Sequence, residues 1–113
     1  MDTIIKKVAA MGVPGLVLTV AIELTGFTGA AAFTTALASL GPGGMFGGVM
    51  TLLAVAALSD LIAEYGFEKV AEGVLKELYK KGESKESIKA KVSKYPVTAK
   101  LKSKLYDVVD NLS

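Results

Sequence analysis

The chain has 113 residues, 51% of them hydrophobic and 21% charged, with a mean hydropathy of +0.47. That is one domain's worth of sequence, more apolar than an ordinary soluble domain and far from a disordered one. It holds no Cys, His or Trp, which excludes disulfide frameworks, thiol nucleophiles, Cys/His zinc sites and Ser-His-Asp triads, and its net charge of +2 calls for no nucleic-acid partner.

The first predicted helix covers residues 3–24, with a kink or restart at Pro14, because proline breaks the hydrogen-bond ladder of a helix interior. Lys6 and Lys7 ahead of an apolar run also resemble the start of a signal peptide, with small residues at 26–32 as a cleavage region. Pro14 early in the run, Glu23 late in it and the apolar sequence beyond argue against that reading. Glu23 is the lone ionisable side chain between Val8 and Ser59. It is a candidate intramembrane acid, or a polar residue closing the helix beside the Thr25-Gly26 turn.

Gly26 and Gly29, beside Thr25 and Thr28, mark a break. A second helix is expected over 28–40. Its small residues, with Ala31, Ala32 and Thr35 at the centre, form a close-packing face, and Gly26 with Ala30 makes a small-xxx-small pair. Thr28, Thr35 and Ser39 share one side, as a polar seam or as hydroxyls bonded back to the preceding turn. The Gly41–Gly48 cluster, with Pro42 inside it, reads as a turn, although Gly44 and Gly48 also form a GxxxG match. It lacks a GK[ST] ending and follows no strand, so it is not a phosphate loop.

A third helix begins at Gly48 and extends as far as Lys81, with Gly66 and Gly73 as possible breaks. Asp60, Glu64, Glu68 and Glu72 recur at four-residue spacing and read as a solvated face. Ser84 is an N-cap candidate for a fourth helix ending by Tyr95, and a fifth starts near Thr98 with an apolar stripe of Leu101, Leu105, Val109 and Leu112. No window alternates with the period of a strand.

Charge divides the chain. Residues 24–59 carry no charge over thirty-six positions, residues 60–79 carry a net −3, and residues 80–104 a net +7. The sequence therefore reads as an apolar bundle over 1–82 and a basic hairpin over 83–113. Lys89, Lys91, Lys94, Lys100, Lys102 and Lys104 are candidate contacts for anionic lipid headgroups. Lysines on both flanks of the apolar half favour an even number of crossings, hence a hairpin with one segment short or interfacial. None of the apolar segments reaches comfortably the roughly 20 residues that cross a bilayer.

Gly12-Val13-Pro14, Glu23, Gly26-Phe27-Thr28, residues 37–44, Leu52-Leu53-Ala54 and Tyr79-Lys80-Lys81-Gly82 together resemble the circular bacteriocins of the saposin-like type. That resemblance implies a bundle of four or five short helices and an attack on membranes through a cationic patch. The acids at 60–72 dilute such a patch here, and 83–113 has no counterpart. Gly26-Phe27-Thr28, the small residues and the Gly cluster, over about 26–65, also resemble the interferon-inducible small hydrophobic membrane proteins.

The expectation is an all-α protein of about five helices that inserts into bilayers and self-associates, as a pore or a destabiliser. It offers no catalytic residue, metal site, cofactor or evident small-molecule substrate. A soluble saposin-like toxin, secreted rather than membrane-resident, and a lipid-independent helical scaffold are the alternatives.

Overall fold

The computed structural model describes residues 2–38, 48–95 and 97–112, and the side chains of these except 27–38 and 48–54. The described residues form six helices: α1 (Asp2–Ala9), α2 (Val13–Ala38), α3 (Gly48–Tyr65), α4 (Phe67–Lys80), α5 (Lys85–Ser93) and α6 (Ala99–Asn111). The all-α expectation holds, with six helices in place of about five. Gly44 and the 41–47 turn lie outside the described residues, as do the side chains of Ala31, Ala32 and Thr35.

The expected 3–24 helix is two helices. Gly12, at φ +81, closes α1 through a hydrogen bond from its N–H to the Ala9 carbonyl at 2.9 Å. The chain then restarts at Val13, bent by 119°. Pro14 is therefore the second residue of α2, where its missing N–H would have had no helical acceptor. Proline permits the restart, and glycine makes the corner.

Past that corner α2 is apolar on every side, and Leu16, Val17, Leu18, Val20, Ala21 and Ile22 are all buried. A helix of this kind lies in a membrane or in the middle of a core. Here α2 packs against α1, α3, α4, α5 and α6. Thr19 is the buried polar residue among the described core positions, and its hydroxyl donates to the Gly15 carbonyl at 2.8 Å. Gly26, at φ +75 and ψ −178, interrupts α2 at the expected position.

Around α2 the other helices present narrower stripes. Val55, Leu58 and Leu61 face inward from α3, and Val70, Ala71, Val74, Leu75 and Leu78 from α4. Gly66, at φ +92, separates these two helices, whereas Gly73 sits inside α4 against Ile5. Gly82, at φ +100, ends α4 in a Schellman arrangement, with the Glu83 N–H on the Leu78 carbonyl and the Gly82 N–H on the Tyr79 carbonyl, both at 3.1 Å.

The Ser84 hydroxyl accepts from the Ser87 N–H at 3.1 Å, and the Ser84 N–H donates to the Ser87 hydroxyl oxygen at 2.8 Å, a capping box for α5. Thr98 caps α6 by accepting from the Leu101 N–H at 3.2 Å. α5 and α6 pack on each other and on α2 through Ile88, Val92, Leu101, Leu105, Val108 and Val109. The wide apolar surface of α2 is what supports this pair. Buried residues from all six helices make one continuous cluster.

Candidate functional site

Three separated segments meet beside the Gly66 break. Glu23 comes from α2, Tyr65 to Glu72 from the α3–α4 junction, and Lys104 to Leu112 from α6. They line an open groove of about 800 Å³. The positive φ of Gly66 turns the chain so that Tyr65 and Phe67 flank the break from two different helices. Tyr65 is 42% exposed, the large hydrophobic residue among those described that remains open to solvent. Phe67 is half-buried, and the Lys104 ammonium lies 5.3 Å from the centre of its ring, a cation–π contact.

The groove carries the carboxylates of Glu23, Glu68, Glu72 and Asp107 against the ammoniums of Lys69 and Lys104. Glu72 is already paired with Lys76 at 2.9 Å, and Lys104 is engaged by Phe67. Glu23, Glu68 and Asp107 are exposed. Among the described residues no three carboxylates come close enough to hold a metal ion. An open surface of two aromatic rings and unpaired carboxylates is suited to holding cationic groups.

Of the sequence-derived candidates, the groove takes in Glu23 and Lys104. Glu23 lies exposed one turn before the Gly26 break. The other lysines are dispersed. Lys89 pairs with Asp110, and Lys91 with Glu83 at 2.5 Å. Lys102 donates to the Ser93 carbonyl at 3.1 Å. Lys94 and Lys100 are exposed and make no ion pair among the described residues. Gly26 is exposed, Gly29 lies on the helical backbone of α2, and Gly48 opens α3. Tyr65, Phe67 and Asp107 were not legible as a group, although two aromatics flanking a glycine hint at the junction. The carboxylate series from Asp60 to Glu72 is divided between α3 and α4 by Gly66.

A second polar cluster closes the α4–α5 turn. Glu83 accepts from Lys91 and from the Ser87 hydroxyl, the latter at 2.6 Å, and these two donors hold its carboxyl below the usual 4.5. Burial pushes the hydroxyl of the nearby Tyr95 up, and the Glu83 charge adds to that. Because the folded state lowers the Glu83 value, the stabilisation it supplies is complete above 4.5 and is lost as the pH falls below it. Glu83→Gln is expected to flatten the fall in stability on the acid side, measured as urea midpoints at neutral and acidic pH. Parallel curves for the two proteins would remove this cluster from the acid response.

Comparison of the chain with protein-family models, with curated proteins and with solved structures finds no match.

Proposed function

We propose that this is a membrane-inserting helical protein that self-associates, with the uncharged residues 26–54 as the inserting hairpin and the rest of the chain, including the inward-facing Val55, Leu58 and Leu61, as its base in the aqueous phase. The observation that carries this reading is the thirty-six-residue uncharged stretch beginning just before the Gly26 break. The apolar residues 16–22 are accounted for by the core, while this second apolar segment is far longer than the core stripe of Val55, Leu58 and Leu61.

The helical backbone over 27–38 and over 48–54 gives arms of about 18 Å and about 11 Å beyond the core. Both are shorter than the roughly 30 Å hydrocarbon core. No single described helix is long and apolar enough to cross a membrane. Arms of this length, joined through a Gly/Pro segment, suit a hairpin that enters and returns on one side. Gly29, Ala31, Ala32 and Thr35 supply small residues for close approach between copies. Lys94 and Lys100 supply charge for an anionic surface.

Flotation with vesicles of mixed anionic and zwitterionic lipid, followed by an alkaline carbonate wash, tests this. The full chain is expected to stay with the lipid after the wash. An aspartate placed at Ala32 or Leu53 should release it, since a charge at that depth costs about 2.5–3.5 kcal/mol. A chain that washes off yet leaks vesicle contents would point to a soluble bilayer-permeabilising protein. A chain that ignores vesicles and self-assembles in water would point to a lipid-independent scaffold. Either result overturns insertion.

A further inference from the structure

The course of α2 beyond Glu23 is set by one residue. Gly26 adopts φ +75 and ψ −178 inside the helix, a conformation that glycine alone holds without strain. α2 has 26 residues, so unbent it would run about 39 Å. That is longer than any axis of the molecule, which measures 30 × 30 × 25 Å. The kink is what fits α2 into the body. The Thr25 hydroxyl spans it, 2.6 Å from the Ala21 carbonyl oxygen and 3.3 Å from that of Gly26. Gly26 is exposed, and among the described residues nothing lies within 4 Å of a Cβ built on it. No described contact at the kink opposes a change of φ.

We propose that Gly26 is the hinge of insertion. Bent, it keeps the 27–38 arm of α2 within the compact body. Turned to helical φ and ψ, it makes α2 one straight helix, with residues 16–22 still buried in the core and 27–38 projecting about 18 Å from the base. The hinge stands where charge ends. Glu23, exposed one turn before it, is the last charged residue ahead of Asp60. Straightening thus carries an uncharged arm outward and leaves the acid on the water side. Gly66 is the contrast. Its φ of +92 and ψ of 147 also suit glycine alone, but core residues anchor both sides of it, Leu61 on α3 and Val70 on α4. Gly66 therefore cannot turn without opening the core. The role of the hinge rests on the insertion proposed above, whereas the motion itself does not.

Alanines of opposite chirality at position 26 test the hinge. L-Alanine is strained at the bent φ and ψ and at ease in a helix, so Gly26→Ala favours the straight form by about tenfold or more. For D-alanine the bent geometry is the mirror image of ordinary extended backbone, and a right-handed helix is what it resists. Full-length synthetic chains carrying each are titrated with vesicles of mixed anionic and zwitterionic lipid. The partition coefficient follows the open fraction, because the open form is the one that inserts. Gly26→Ala is expected to raise it by about tenfold, and D-alanine to lower it by about as much. Gly66→Ala, with the same strain at the other break, should lower stability and leave partition at the wild-type level. The chain has no Cys, so spin labels on cysteines introduced at Ala10 and Ala38 read the length of α2, with and without vesicles. A straight α2 holds its ends about 38 Å apart, and Gly26→Ala should add a population near that length which D-alanine lacks.

Equal partition and equal distances for the two stereoisomers overturn the hinge, and vesicle retention of all the chains then leaves insertion standing. A rise with Gly66→Ala that matches Gly26→Ala also overturns it, since general loosening of the fold would account for both. Distances that follow the stereoisomers in chains that all wash off the vesicles support the motion and remove insertion. D-Alanine retains the bent geometry, which keeps the test decisive if L-alanine unfolds the chain.

Discussion

Replacing Leu18 with alanine is expected to destabilise the protein by about 2–5 kcal/mol, the range for emptying a leucine-sized volume in a packed core. Leu18 is fully buried in α2, the helix that every other described helix touches. A loss of that size is a large share of the roughly 5–15 kcal/mol that holds a domain together. Urea unfolding followed by circular dichroism measures it. The result also distinguishes two roles for α2. A leucine facing lipid would lose membrane affinity on truncation and leave the fold nearly intact. A fall of less than about 1 kcal/mol would therefore move this helix out of the core.

Gly15→Ala is the second large effect, and it acts by overpacking. A methyl group at Gly15 would lie 2.2 Å from the Val8 carbonyl oxygen and 3.0 Å from its carbon. The obstacle is backbone, so no side chain can rotate out of the way, and α1 must move off α2. Overpacking of this kind costs about 1–3 kcal/mol or somewhat more. In a domain near this size, each kcal/mol corresponds to a fall in Tm of about 4–8 °C.

Gly73→Ala is the matched control. The new methyl would meet the Ile5 side chain at 3.4 Å, ordinary contact with a flexible group. Gly73 lies inside α4, so alanine there should be neutral or gain up to about 1 kcal/mol of helix propensity. Equal midpoints for the two alanine variants would mean that α1 does not cross α2 at Gly15.

The difference between these glycines is instructive about what a sequence carries. Gly12, Gly15, Gly26, Gly66, Gly73 and Gly82 look alike in the chain. Gly12 turns a corner, Gly15 admits a neighbouring backbone, Gly66 breaks a helix and Gly73 does none of these. The breaks at Gly26 and Gly82 were legible because threonine or polar turn residues stand beside them. Gly66 and Gly73 both fall within an amphipathic pattern, and packing alone separates them.

The same holds for charge. The excess of lysine over 80–104 is plain in the sequence, yet Lys89, Lys91, Lys102 and Lys104 find partners on other turns and other helices. Their partners lie 20 or more positions away in two of these cases, at Asp110 and Phe67. The groove likewise joins Glu23, Tyr65 and Asp107, which no local pattern connects.

By itself the sequence determined the helical class, the cap at Ser84, the helix start near Thr98, the break at Gly26 and the inward stripe of α6. Each depends on residues within about one or two turns of one another, where propensity, capping and 3.6-residue periodicity act. Only the tertiary structure decided that the apolar start of α2 is the centre of the core. An all-round apolar helix has no preferred face, so its burial depends on whether five other helices can surround it. That also decided which lysines stay unpaired and that three distant segments form one groove, because ion pairs and cavities depend on distance in space rather than along the chain.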